Sequence, residues 1–126
     1  MRVTVSVADP QHRNGEPVRE LARWLGEAEQ LRGRVRLVEG GRQTGALSET
    51  VLTLVAELGP PGIAAFGAAV ITWLRHRRSD TRVTVRRPDG TRFEITARRV
   101  RGLGPAEVRA MVDQLSSALD ERPPAA

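Results

Sequence analysis

The sequence predicts an α+β fold, a four-stranded and mostly antiparallel sheet with helices on one face and a central apolar helical hairpin. Apolar residues alternate with polar ones in some segments, which indicates strands, and recur every three or four residues in others, which indicates helices. These segments follow one another in the order β-α-β-α-α-β-β-α. The chain of 126 residues has the size of one domain, which we assign to residues 1–121, followed by a flexible tail at 122–126.

The first third of the chain predicts a strand, a helix and a second strand. In the segment RVTVSV, alternation places Val3, Val5 and Val7 on one buried face. From Pro17 the apolar residues recur at helical spacing, and Gly33 can adopt the left-handed conformation that ends a helix. The segment RVRLVEG then alternates again and predicts the second strand.

The central part predicts two apolar helices with a proline break between them. The first covers ETVLTLVAEL, with Ser48 as its N-cap, and the second covers GIAAFGAAVITWLRHRR. The break falls at Gly59, Pro60 and Pro61, because proline lacks a backbone donor and disfavours helical geometry in the residue before it. Together the two segments form the predicted helical hairpin.

The segment TRVTVRRPDGTRFEITARRV predicts a β-hairpin. Val83 and Val85 share one face, and Phe93, Ile95 and Ala97 on the returning strand share it with them. The intervening PDG supplies the turn, since proline presets one torsion and glycine accepts a positive φ. A last amphipathic helix begins at Pro105, a position that needs no backbone donor.

Catalytic and metal-binding chemistry has little support in this sequence. The chain has no cysteine, and its two histidines, His12 and His76, do not have the spacing of metal ligands. The glycine-rich segment GGRQTG has Ala46 where a phosphate-binding loop needs lysine, and no nucleophile elbow occurs. We therefore expect no enzymatic activity, no metal and no cofactor.

Basic charge is concentrated in one part of the chain. All 20 basic residues are arginine, the net charge is +5, and residues 75–101 hold ten arginines against three acidic residues. Strand alternation predicts six arginines on the solvent face of the sheet, where they would attract phosphates, acidic lipids or an acidic protein. The alternative is a solvated face that protects the sheet against aggregation. The predicted anionic-partner face consists of Arg34, Arg36, Arg82, Arg86, Arg92 and Arg98.

Nucleic acid is the less favoured partner of such a face. Sheets that bind nucleic acids often carry aromatic side chains on which bases stack. This chain has no tyrosine, three of its four aromatic residues lie on predicted helices, and Phe93 faces the predicted core. An arginine-rich nucleic-acid-binding module therefore remains the alternative to a protein-binding component.

The apolar run at residues 63–74 suggests either a membrane contact or a buried helix. Its twelve residues would reach about 18 Å as a helix, which is short of the roughly 30 Å hydrocarbon core. Joined to the preceding apolar segment, the run resembles a conditionally inserting hairpin, and the tryptophan and arginines that end it suit a membrane interface. Burial in the core or in a protein interface is the other interpretation. The candidate contact residues are Ile63, Phe66, Ala68, Ile71, Trp73, Leu74, Arg75, Arg77 and Arg78.

Three long stretches of the sequence resemble a known family. The stretches VRELARWLGEAEQLRGRVRLVEG, ITWLRHRRSD and TRVTVRRPDGTRFEITARRV are similar to the effector-associated constant component family, type one, of actinobacterial conflict systems. The resemblance covers nearly the whole chain and includes no catalytic motif. It implies a small non-enzymatic partner of an effector, a protease or a nucleotide-dependent signalling protein encoded nearby.

The expected mode of action is protein–protein association, with self-association and contact with an anionic membrane as open alternatives. The N-terminal segment MRVTVSVADP lacks the apolar core of a signal peptide, so we expect a cytoplasmic protein. Association with a membrane would then follow activation.

Overall fold

The computed structural model describes residues 1–10, 15–40 and 51–120, which form an α+β structure. Its five strands are β1 (Arg2–Ala8), β2 (Val35–Gly40), β3 (Val51–Glu57), β4 (Arg82–Arg86) and β5 (Arg92–Thr96). Its four α-helices are α1 (Glu16–Gly26), α2 (Pro60–Arg75), α3 (Ala97–Arg101) and α4 (Pro105–Asp120). The strands form one antiparallel sheet in the order β2-β3-β1-β4-β5.

The segment predicted as the first central helix is a strand, so the prediction of a helical hairpin and of four strands is wrong. Strand β3 lies inside the sheet, between β2 and β1. Its Leu54 and Ala56 are buried, whereas Thr53 and Val55, which alternate with them, are half-buried. A short apolar run of this kind cannot be told from a buried helix by periodicity alone, and its β-branched residues favour a strand. The predicted cap Ser48 lies outside the described residues, as do His12, Ala46 and the tail at 122–126.

Helix α1 is shorter than predicted. It ends at Gly26, and a 3₁₀ turn at Glu29–Leu31 follows it. Gly33 does adopt a left-handed conformation, with a φ of 76°, but it leads into β2 rather than ending the helix. The predicted apolar stripe is confirmed for Val18, Leu21 and Leu25, which are all buried, whereas its last member, Ala28, lies beyond the end of the helix.

The predicted β-hairpin is present with the predicted register. Val83 lies opposite Ile95, and Val85 lies opposite Phe93. Val83, Val85 and Ile95 are buried. Gly90 in the turn has a φ of 94°, a conformation that glycine adopts without steric cost.

The core lies between one face of the sheet and the helical layer, with α2 at the centre of that layer. Phe66, Val70 and Ile71 of α2 are fully buried. Gly67 allows α4 to approach closely, because a Cβ at this position would lie 3.3 Å from Ser116 Oγ. The buried strand residues share the face toward the helices, so the opposite face of the sheet, which we call the open face, remains accessible to solvent.

Candidate functional site

The open face carries three arginines in a single line across the sheet, which we call the arginine row. Arg36 on β2 lies opposite Val55, which lies opposite Thr4. Thr4 lies opposite Arg86, and Arg86 lies opposite Arg92 at the far edge. Neighbouring strands are about 4.8 Å apart, so four spacings place the Cα atoms of Arg36 and Arg92 about 19 Å apart.

Few acidic groups in the described part of the chain balance the arginine row, although Glu57 lies close enough to Arg36 for the two charges to interact. No acidic side chain there forms a salt bridge with Arg36, Arg86 or Arg92. Arg86 and Arg92 even stand directly opposite each other, an arrangement that destabilises a sheet because like charges repel. All three side chains are exposed, so the row is accessible to a negatively charged partner.

Two further arginines of the open face are paired. Arg2 Nε donates a hydrogen bond to Glu57 Oε1 at 2.7 Å, and this bond holds the pKa of the Glu57 carboxyl below its usual value of about 4.5. Arg82, one of the predicted face residues, lies 3.8 Å from Glu94. Exposed pairs of this kind contribute little to stability, but they leave the arginine row as the main source of positive charge on the face.

The structure places the other two predicted face residues differently. Arg34 lies one residue before β2, although its carbonyl oxygen still accepts a hydrogen bond from Glu57 N at 2.9 Å. Arg98 is not on the sheet, because the second hairpin strand ends at Thr96 and α3 begins at Ala97. Thr96 Oγ1 caps that helix by accepting a hydrogen bond from Arg99 N, which explains why the alternation stops there.

The candidate contact residues of α2 do not form one exposed surface. Ile63, Phe66, Ile71, Trp73 and Leu74 are buried in the core, while Ala68, Arg75 and Arg78 are exposed and Arg77 is half-buried. The apolar members therefore reach neither a partner nor a lipid while α2 stays packed. Among the helices of the described ranges, none combines the length and the apolar character that crossing a bilayer requires.

Arg77 belongs to a buried polar cluster that the sequence analysis missed. The Asp9 side chain is fully buried, and its Oδ2 accepts hydrogen bonds from Arg77 Nη2 at 2.7 Å and Ser79 Oγ at 2.7 Å. Thr81 Oγ1 donates a third bond to the same oxygen at 2.9 Å. Arg77 also pairs with Glu20 at 3.2 Å, so the cluster joins the end of β1, the loop after α2 and helix α1.

Chain separation explains why this cluster could not be predicted. Asp9 lies 68 to 72 positions before its partners, and a single sequence carries no signal for contacts at that distance. The guanidinium carbon of Arg77 also lies 4.7 Å from the centre of the Trp73 ring, a cation–π contact. Two of the residues that suggested a membrane interface in this segment, Trp73 and Arg77, therefore make internal contacts.

Among the grooves that the described residues form on the helical side, two differ clearly in chemistry. The larger, about 420 Å³, lies between α1 and the end of α2 and has both acidic and basic walls, including Glu16, Glu20, Arg23 and Arg78. The second, about 310 Å³, lies between the edge strand β5 and helix α4. Its walls are mainly apolar, and they include Phe93, Ile95, Met111, Leu115 and Ala118.

Most of the side chains that line the larger groove are charged. His76 Nδ1 lies 2.8 Å from the Thr72 carbonyl oxygen and therefore donates a hydrogen bond to it. No group of three histidine or acidic side chains within the residues that the structure describes is placed to hold a metal ion.

Comparison with known proteins identifies the family of the chain. The family model described as Effector Associated Constant Component 1 matches residues 9–116. Searches of curated proteins and of solved structures found no match. The matched range runs from the buried Asp9 through the hairpin and into α4, well over half of the chain. The chain therefore belongs to the Effector Associated Constant Component 1 family.

Proposed function

We propose that this protein is a non-enzymatic component of its effector-associated system and binds an acidic protein surface through the open face of its sheet. Membership of the family supports a place among effector components. The observation that carries the binding surface is the arginine row, in which Arg36, Arg86 and Arg92 are exposed and form no salt bridge within the described residues.

The side chains between the arginines favour a protein partner over a nucleic acid. Thr4 and Val55 separate Arg36 from Arg86, and both are half-buried and lie flat against the sheet. The face lacks, among the described residues, the aromatic platforms on which unpaired bases stack. Arginine is enriched at protein interfaces, and complementary charge there raises the association rate and the specificity.

A binding experiment with matched arginine variants tests this proposal. The probes are the effector-associated proteins encoded beside this chain, and affinity is measured by calorimetry at 50 and 300 mM salt. We expect Arg86→Gln/Arg92→Gln to weaken binding of the partner at least tenfold at low salt. The control is Arg109→Gln, which removes an exposed arginine from α4 in the helical layer. Equal affinities for the wild type, the double variant and the control would overturn the proposal.

The nucleic-acid alternative is tested with the same proteins. DNA duplexes and single strands of several sequences replace the protein probe in the titration. Sequence-selective binding that survives 300 mM salt would favour the alternative, because contacts to phosphates alone weaken steeply with salt. We expect no sequence preference.

Conditional insertion of α2 into a membrane is a second proposal, supported by its exposed small residues Ala64 and Ala68. Insertion would have to remove Phe66, Ile71 and Leu74 from the core, and burial of each such side chain contributes about 1.5–3 kcal/mol. An activating partner must therefore supply that free energy. We expect the protein to release dye from anionic liposomes only when the partner is present. If no dye is released either with or without the partner, insertion is excluded.

A further inference from the structure

The geometry points to a peptide-binding site along the edge strand β5, in which an extended segment of the partner protein pairs with β5 as a sixth strand. We propose that this segment alternates apolar and polar residues and carries an acidic residue opposite Arg92. The apolar side chains enter the groove between β5 and α4, and the acidic one lies on the open face beside Arg92. The inference rests on the proposed function, since it names the form of the protein partner and a contact at the end of the arginine row.

Strand β5 has a free side. It pairs with β4 only, and no other strand among the described residues lies beyond it. A strand at the edge of a sheet presents backbone donors and acceptors to which an extended peptide can bind.

The hydrogen-bond pattern shows which backbone groups of β5 are free to pair. At one end of the hairpin Arg87 N donates to the Thr91 carbonyl oxygen, and at the other Ala97 N donates to the Thr81 carbonyl oxygen. In an antiparallel pair every second residue exchanges bonds with its partner strand, so the odd-numbered positions of β5 face β4. The N–H and C=O groups that point away from β4 are therefore those of Arg92, Glu94 and Thr96.

The groove beside this edge offers apolar contacts on the helical side. Phe93 and Ile95 form its strand wall, and Met111, Leu115 and Ala118 of α4 form its helix wall. Phe93 is only half-buried although it faces the helical layer, because no further strand covers it. Side chains of an added strand that point the same way would enter this groove and cover Phe93.

The charged residues of β5 indicate which side chains an added strand carries on the open face. Arg92 and Glu94 project from β5 on the open face, and Glu94 is already within 3.8 Å of Arg82. Arg92 has no salt-bridge partner among the described residues and lies beside Arg86. An acidic residue of the peptide opposite Arg92 would complete this end of the arginine row, and cross-strand pairs of opposite charge stabilise a sheet.

A second copy of the same chain is the competing occupant of the edge. Pairing of two β5 strands centred on Glu94 would place like charges opposite each other, whereas pairing centred on Phe93 would place Arg92 opposite Glu94 twice. Each copy carries a net charge of +5, so two copies repel each other, whereas an acidic partner is attracted. We therefore favour the acidic partner, and the oligomeric state is measured alongside.

The test uses a fluorescein-labelled peptide that alternates valine and threonine around one central aspartate and a matched peptide in which lysine replaces that aspartate. Binding to the full chain is measured by fluorescence anisotropy at 100 mM salt. We expect the aspartate peptide to bind at least tenfold more tightly than the lysine peptide. Equal binding of both peptides, or no binding of either at 1 mM protein, would overturn the inference.

Two variants of Glu94 distinguish backbone pairing from attraction by charge. Glu94→Pro removes the outward-facing N–H without removing a bond to β4, whereas the control Glu94→Gln removes the same negative charge and keeps the N–H. We expect Glu94→Pro to reduce affinity for the aspartate peptide at least tenfold and Glu94→Gln to preserve or increase it. Equal effects of the two variants would refute strand addition.

A groove variant keeps the test decisive if the proline variant does not fold. Met111→Glu places a charge in the helix wall of the groove, and its matched control Arg109→Glu places the same charge on the same helix outside the residues that line the groove. Only Met111→Glu should weaken binding of the aspartate peptide. Sedimentation tests the other occupant, since a dimer that dissociates in Glu94→Pro would assign the edge to a second copy and overturn the inference.

The full partner separates this inference from the proposed function. If Arg86→Gln/Arg92→Gln weakens binding of the partner but Glu94→Pro and Met111→Glu do not, the sheet face binds the partner and the peptide site is refuted. If none of these variants weakens binding of the partner, both proposals fail.

Discussion

At the scale of single residues, Asp9 and Arg77 show how much of the structure depends on contacts that sequence patterns do not carry. The sequence analysis assigned Arg77 to a partner or membrane contact because it lies in a basic run beside Trp73. In the structure its guanidinium is nearly buried, with 11% of the side chain exposed, and it pairs with the fully buried Asp9 carboxylate. The basic run is therefore divided between an internal ion pair and exposed arginines.

Removing the Asp9 carboxylate should strongly destabilise the protein. Asp9→Ala leaves the Arg77 charge without its partner in a nearly buried site, and breaking such a pair costs about 3–5 kcal/mol. The control is Glu20→Gln, because Glu20 also pairs with Arg77 but has half of its side chain exposed, so its loss should cost less than about 1 kcal/mol. Urea denaturation of the three proteins measures both differences. Equal losses would mean that the cluster does not depend on the buried carboxylate.

At the scale of secondary-structure elements, the pattern of burial explains both why the β4–β5 hairpin was predicted correctly and why β3 was not. The β4–β5 hairpin was predicted with the right register because one face of each strand is buried and the other is exposed, which leaves a period of two in the sequence. Strand β3 lies inside the sheet, and even its solvent-side residue Val55 is apolar and half-buried. Its sequence therefore shows no alternation of apolar and polar residues, and it was predicted as a helix.

The turn of that hairpin should show a defined dependence on pH. Thr91 N donates a hydrogen bond to Asp89 Oδ1 at 2.9 Å, and this bond holds the pKa of the Asp89 carboxyl below its usual value of about 3.8. A carboxyl whose pKa is lower in the folded state stabilises the fold above the unfolded pKa, and the contribution is lost as the pH falls through the folded pKa.

Two measurements check the turn. An NMR titration should place the midpoint of Asp89 below 3.8, and Asp89→Asn should flatten the change in unfolding free energy between pH 5 and pH 2. Asp113→Asn on α4 is the control, since it removes an exposed carboxylate far along the chain from the hairpin. A midpoint of Asp89 at or above 3.8 would contradict the role of the Thr91 bond.

At the scale of the whole molecule, the fold separates its apolar and its charged surfaces. The helices cover one side of the sheet, and the arginine row lies across the other. The sequence predicted which arginines leave the core, but it did not predict the row itself. Arg36 is aligned with Arg86 only because β3 and β1 lie between their strands, and β3 was not recognised.

The arginine row also predicts how the molecule binds polyanions. We expect weak binding of DNA and heparin without sequence preference, since the three exposed charges span only about 19 Å of a flat surface. Each phosphate contact on duplex DNA contributes about −0.9 to the slope of log affinity against log salt concentration, so three contacts give a slope of about −2.7.

Arg86→Gln/Arg92→Gln should reduce the magnitude of this slope by about 1.8, whereas Arg109→Gln on the helical side should leave it unchanged. Titrations between 25 and 200 mM salt measure the slopes. A slope that is equally steep in the wild type and the double variant would place the polyanion contact elsewhere, most directly on the exposed Arg78 beside the larger groove.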